Sequence, residues 1–121
     1  CTLWRRSAWE ELGGLDGRYA PIYWEDADMG ARMHRAGLSM IRCPGVTVLH
    51  RHAATMGSTG RSSILRERNR FIFMDANCVS TSMRLMRFLW HPLHMLKALL
   101  TGNRAFYDGY RQYRKWKKLR A

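Results

Sequence analysis

Apolar residues at positions 4, 8, 9 and 12 follow helical spacing, and Ser7 with Glu10 three residues later fits a capping box, so the pattern predicts a short helix over residues 7–12. Gly13-Gly14 ends it, Leu15-Asp16-Gly17 reads as a turn, and residues 19–24 form an aromatic loop around Pro21. A second helix is predicted from Asp26, whose carboxylate can accept backbone N–H bonds at a helix start. Met29, Met33 and Ala36 share one of its faces, and Gly37 is the stop. Residues 38–43 and 46–50, split by Pro44-Gly45, read as two strands, the second β-branched.

Residues 51–63, rich in Gly, Ser, Thr and Ala, read as a loop, and the helical pattern resumes over 64–77 around Leu65, Ile72, Phe73 and Ala76. The stretch 83–100 is apolar, but Arg84, Arg87, His91, Pro92, His94 and Lys97 interrupt the roughly 20 apolar residues that a membrane span needs. After Gly102-Asn103, Phe106, Tyr110 and Tyr113 make a stripe with Trp116 beside it and Arg111, Arg114, Lys115, Lys117, Lys118 and Arg120 around it. That is a basic amphipathic helix, suited to a membrane interface or a partner groove.

Charge sharpens this division. Residues 1–60 carry seven Lys/Arg against six Asp/Glu, whereas 61–121 carry fourteen against three, so almost all of the net +12 lies in the second half. Such a surface suits anionic partners, either acidic lipid or phosphate backbones. Nucleic acid is not expected, since no helix-turn-helix, zinc-finger or RNA-binding aromatic signature accompanies the charge. Cys1, Cys43 and Cys78 are odd in number and widely spaced, which fits reduced thiols better than a zinc site or a disulfide framework.

The densest candidate chemistry is Trp24-Glu25-Asp26-Ala27-Asp28-Met29-Gly30-Ala31-Arg32, with three carboxylates in four positions where a loop becomes a helix. Acids at a helix N-terminus are favoured by the helix dipole, by about 0.3–1 kcal/mol. Like charges held close also raise one another's pKa and can make a general base or a cation site. Spacing alone leaves both readings open. Asp28 and Arg32 are four apart, acid first, the favourable order for a pair. His50 and His52 would point to one side of a strand end, where imidazole can bind a divalent cation.

Taken in order, Arg5-Arg6, Glu11-Leu12-Gly13-Gly14-Leu15-Asp16, the 24–32 motif, Arg35-Ala36-Gly37, Pro44-Gly45-Val46-Thr47-Val48-Leu49-His50 and Arg68-Asn69 resemble the acceptor-side half of family 2 glycosyltransferases. The resemblance covers about residues 1–80, and 81–121 more loosely resembles the C-terminal region of rhamnosyltransferase-like members. It implies an α/β fold, the C-terminal half of a GT-A (Rossmann-like) domain over 1–80, followed by a basic helical tail over 81–121. The nucleotide-binding half of such an enzyme, with its Asp-x-Asp metal motif, is absent from this sequence, so the expectation is a piece of a longer enzyme, inactive by itself.

The resemblance further implies inverting sugar transfer from a nucleotide-sugar donor to a glycan or lipid-linked acceptor. Asp26 matches the family's base, Glu25 and Asp28 orient the site, and Arg32 holds Asp28. Gly13, Gly14 and Asp16 line the sugar pocket, with Trp24 as a stacking face. His50 matches an extra ligand to Mg²⁺ or Mn²⁺, whose carboxylate ligands would come from the other half. The tail over 83–121 is expected to hold the enzyme on an anionic membrane, cytoplasmic and peripheral at the inner face of a bacterial plasma membrane. A different class, a non-catalytic basic module that binds anionic membrane or nucleic acid, would share the charge without the chemistry.

Overall fold

The computed structural model describes residues 2–49 and 60–120. These form helices α1 (Arg6–Glu11), α2 (Glu25–Arg35), α3 (Gly60–Asn77), α4 (Thr81–Leu100) and α5 (Arg104–Lys118), with a 3₁₀ turn at Gly17–Tyr19. No strand occurs among the described residues, which overturns the α/β expectation of half a GT-A, Rossmann-like domain. The reason lies in residues 38–49. A strand is stabilised by a neighbour that satisfies its backbone N–H and C=O groups, and here Met40, Ile41, Val46, Val48 and Leu49 are all exposed, Leu49 to 92%. β-Branched composition therefore yields chain without a ladder. His50, and residues 51–59 of the expected loop, lie outside the described residues.

Local caps shift several boundaries. The first helix begins at Arg6, so Ser7 lies inside it and caps nothing, and Arg6 instead pairs with Glu10 at 2.7 Å on the exposed face. The second begins at Glu25, one residue early, and the Asp26 carboxylate accepts from the N–H of its neighbour Ala27 at 2.7 Å. The two long C-terminal helices have side-chain caps. Ser80 accepts from the Met83 N–H at 3.2 Å, and Asn103 accepts from the Phe106 N–H at 3.3 Å.

The core forms where α5 lies along α3. Tyr19, Phe71, Ile72, Ala98, Phe106 and Tyr113 are buried together. Phe71 is its hub, edge-on to Phe106 at 5.5 Å and to Tyr110 at 5.0 Å, and stacked on Tyr113 at 5.5 Å. The aromatic stripe that the sequence suited to a membrane interface or partner groove packs on the chain's own α3. The periodicity revealed an apolar face, while the partner for that face is intramolecular.

Two features set the approach of α3, α4 and α5. Gly109 is buried, and a Cβ there would lie 2.6 Å from the Glu67 Cβ, 2.8 Å from the Arg68 nitrogen and 2.9 Å from the Ile64 carbonyl oxygen. Backbone meets backbone at that point, so neither helix can yield locally. Asp75 then ties the three helices together. Its carboxylate accepts from Arg87 of α4 and from Tyr113 and Lys117 of α5, the last at 2.7 Å. Burial pushes the Asp75 carboxyl up, but the hydrogen bonds from Lys117, Tyr113 and Arg87 and the charge of Arg87 outweigh it and hold it below the usual carboxylate range.

Gly109→Ala should test the close approach. Alanine favours a helix over glycine by about 1 kcal/mol, but overpacking a tight contact costs about 1–3 kcal/mol, so the urea midpoint is expected to fall. A raised midpoint would mean that α5 stands farther from α3 than described. The Asp75 knot should show in pH dependence. With a folded pKa depressed below the unfolded value of about 3.9, its stabilisation is present above that value and lost as pH falls through the folded pKa. Urea midpoints should therefore drop below about pH 4, and Asp75→Asn should lower the midpoint at pH 6 while flattening that acid limb.

Candidate functional site

The loop that precedes α2 holds an unusual backbone. Tyr23 and Trp24 both have positive φ, 77° and 75°, a conformation that costs a non-glycine residue on the order of 1–3 kcal/mol. Asn69, fully buried on α3, clamps it. Its amide donates to the carbonyls of Tyr19, Ile22 and Tyr23 at 2.6, 2.7 and 3.0 Å. Two amide hydrogens serve three acceptors, so one is shared. Arg68 donates to the Ala20 carbonyl, and the Trp24 indole N–H donates to the Arg66 carbonyl at 3.0 Å. Arg68-Asn69 thus acts at a distance as the clasp that sets the entry to α2.

The three acids that follow diverge. Asp28 turns inward and is 1% exposed. It accepts from the Tyr19 hydroxyl at 2.9 Å, from the Asn77 amide at 2.9 Å and from Arg32 Nε at 2.8 Å. The Arg32 guanidinium spends its other nitrogens on the Leu12 and Gly14 carbonyls, at 2.6 and 2.8 Å. Arg32 therefore joins α2 to the Gly-Gly turn as well as holding Asp28. Burial and then the Asp28 carboxylate push the Tyr19 phenol far up, so it stays a neutral donor.

Asp26 turns outward and is exposed, on the first turn of α2, where four backbone N–H groups lack helical partners. Glu25 lies between the two in exposure, with one carboxylate oxygen buried and without a hydrogen-bond partner. A single cluster in the sequence thus separates into a structural anchor, Asp28, and a reachable carboxylate, Asp26.

The remaining expected site residues surround this anchor. Gly13 and Gly14 have φ of 72° and 69°, and at Gly14 a Cβ would stand 3.1 Å from the Trp9 ring. That glycine is required for both conformation and space. Asp16 caps the 3₁₀ turn by accepting from the Arg18 N–H at 2.8 Å and pairs with the Arg18 guanidinium. Burial pushes its carboxyl up, but the Arg18 hydrogen bonds and the Arg18 and Arg32 charges prevail and leave it lowered. Trp24 is half-buried, its ring 5.0 Å from that of Phe73, so one of its faces is already engaged. Tyr19, Asn69 and Asn77, absent from the sequence-derived set, complete the arrangement. Only the Arg68-Asn69 landmark signalled any of them.

Among the described residues, no three His, Cys, Asp or Glu side chains stand close enough to hold a metal ion. Asp16 and Asp28 are committed to Arg18 and Arg32. The described residues thus do not by themselves fit Mg²⁺ or Mn²⁺, and the His50 assigned to it lies outside them.

Over 75 residues the chain is 37% identical to the N-acetylglucosaminyl-diphospho-decaprenol L-rhamnosyltransferases of two Mycobacterium tuberculosis strains, CDC 1551 / Oshkosh and ATCC 25618 / H37Rv. The matched stretch is 61% of this chain and 24% of each relative, so the chain spans about a quarter of their length. This partial identity supports a relationship to glycosyltransferases. No family model matches the chain, and no solved structure matches it.

The clasp is open to direct test. Asn69→Leu removes the three hydrogen bonds that the amide donates and the one it accepts from Arg68, and leaves carbonyls in and near the core unpaired, at about 1–3 kcal/mol for each buried acceptor left unpaired. Its thermal midpoint should fall well below that of the parent, and near-ultraviolet circular dichroism should lose the contribution of the ordered Tyr23-Trp24 pair. An unchanged spectrum would show that the loop holds its shape without Asn69.

Proposed function

We propose that this chain supplies the acceptor-activating part of an inverting glycosyltransferase of the family 2 kind, one that moves rhamnose from a nucleotide-activated donor to a lipid-linked glycan. The partial identity to the mycobacterial rhamnosyltransferases carries this reading. The exposed position of Asp26 within the Glu25-Asp26-Ala27-Asp28 turn supports its chemistry. Because the relatives act on a diphospho-decaprenol acceptor, the reaction would take place at a membrane surface, in bacteria the inner face of the plasma membrane.

In this mechanism Asp26 accepts the proton of the acceptor hydroxyl as that oxygen attacks the anomeric carbon, and the bond to the nucleoside diphosphate breaks on the opposite face. A base for this step must reach the hydroxyl within hydrogen-bond distance. Asp26 is exposed, whereas Asp28, 1% exposed and triply bonded, is a positioning residue. Through Arg32 it aligns the Gly14 turn with the start of α2. Glu25 precedes the base in the chain and adds a second negative charge to the first turn of α2. The exposed part of the half-buried Trp24 ring offers apolar surface to a sugar ring. No metal step is assigned to the described residues.

The test is sugar transfer by the whole protein that carries these residues, from nucleotide-activated rhamnose to a polyprenyl-diphosphate-linked acceptor. Asp26→Asn should lower kcat by about 10²–10⁴-fold, with thermal midpoint and donor affinity preserved. Asp28→Asn breaks a buried ion pair, which costs about 3–5 kcal/mol, so it should lose stability before any specific catalytic effect appears. An Asp26→Asn protein with undiminished kcat would remove Asp26 as the base.

A further inference from the structure

Helix α4 is unlike the rest of the molecule, because most of its large apolar side chains face solvent. Phe88 is 76% exposed and Leu100 78%, and Leu85, Leu89, Trp90, Leu93, Leu96 and Leu99 are each more than half exposed. No helix among the described residues is long and apolar enough to cross a membrane. Between α4 and α5 lies an open cleft of about 1060 Å³, floored by Phe71, Phe88, Leu89, Pro92 and the rings of Tyr110 and Tyr113.

Its rim is cationic. Arg84 and Arg87 come from α4, and Arg114, Lys115, Lys117 and Lys118 from α5, while no Asp or Glu lines it. Of these rim cations, Asp75, which does not line the cleft, pairs with Arg87 and Lys117. Arg84, Arg114, Lys115 and Lys118 remain exposed at the rim. His91, also lining the cleft, is pushed down by burial and by the charges of Arg87, Arg70 and His94, as expected in a strongly electropositive setting. An apolar floor under a cationic rim matches a ligand with a hydrocarbon chain and an anionic head. A nucleic-acid duplex would leave the floor uncovered, and inorganic phosphate would use only the rim.

We propose that the α4–α5 cleft seats the polyprenyl phosphate end of a lipid-linked acceptor, its phosphate against Arg114, Lys115 and Lys118 and its hydrocarbon chain on Phe88, Leu89 and Pro92. This rests on the transferase reading, and it adds the place where the acceptor's lipid is held. A chain longer than the cleft continues over the exposed Leu93 and Leu96 of the same helix. Arginine and lysine pair strongly with phosphate oxygens, and the apolar face gains from covering hydrocarbon surface. Together they favour the amphiphile over either half of it.

Farnesyl diphosphate, below its micellar concentration, is the probe, measured by calorimetry on the 121-residue chain beside farnesol and inorganic diphosphate. It should bind at least about tenfold more tightly than either. Phe88→Ala and the double variant Arg114→Gln/Lys118→Gln should each weaken it by about tenfold or more, with thermal midpoints kept, because these side chains are exposed. Inorganic diphosphate binding equally well would overturn the proposal in favour of an anion patch. So would tight binding to phosphatidylglycerol vesicles with no preference for farnesyl diphosphate over its halves, which marks a bilayer contact. In the transfer assay the same variants should raise acceptor KM and leave kcat in place. Transfer with an unchanged acceptor KM would sink the cleft and spare the transferase. Farnesyl diphosphate binding as expected, without transfer to any polyprenyl-linked acceptor, would sink the transferase reading and leave the lipid site.

Discussion

The buried carboxylate of Asp28 is the constraint on which the N-terminal part of this chain depends. Removing a charge from water is costly unless partners satisfy it, and here Tyr19, Arg32 and Asn77 do so from three different elements. Each partner is thereby located. Tyr19 fixes the aromatic loop, Asn77 fixes the end of α3, and Arg32 carries the constraint onward to the carbonyls of the Gly-Gly turn. The residue that looked like one acid among three is the one that organises the other two.

Helix α3 extends this organisation in two directions. One face presents Asn69 and Asn77 to the loop and to α2, and another presents Phe71 and Asp75 to α4 and α5. The strained Tyr23-Trp24 backbone is thereby braced by the same rigid element that packs the aromatic core. Exposure of Asp26 follows from this bracing. With Asp28 drawn inward two residues later, the helical rotation of about 200° turns Asp26 toward solvent at the helix N-terminus.

Much of this was legible in the chain. The amphipathic pattern around Phe106, Tyr110 and Tyr113 located α5, and the Asp28–Arg32 spacing identified a pair that does form. Its weight was not legible. Spacing gives the few tenths of a kcal/mol of an exposed helix pair, while burial makes this one a structural anchor. The strand assignment for residues 38–43 and 46–50 failed because β-branched composition signals only a chain that would suit a sheet. The sheet itself requires a neighbour, and no strand stands beside residues 38–43 and 46–49 in the described part.

Gly109 was invisible to periodicity, since its role is the space it leaves for the backbone of Arg68 and Ile64. By itself the sequence determined where helices form, which faces are apolar, where positive charge accumulates and which residues carry candidate chemistry. These follow from local spacing and residue type. Only the tertiary structure decided which acid is buried, which aromatic stripe becomes core and which apolar helix remains in water. Those outcomes depend on partners distant in the chain, and burial, rather than residue identity, sets whether a carboxylate serves as an anchor or stands free to act as a base.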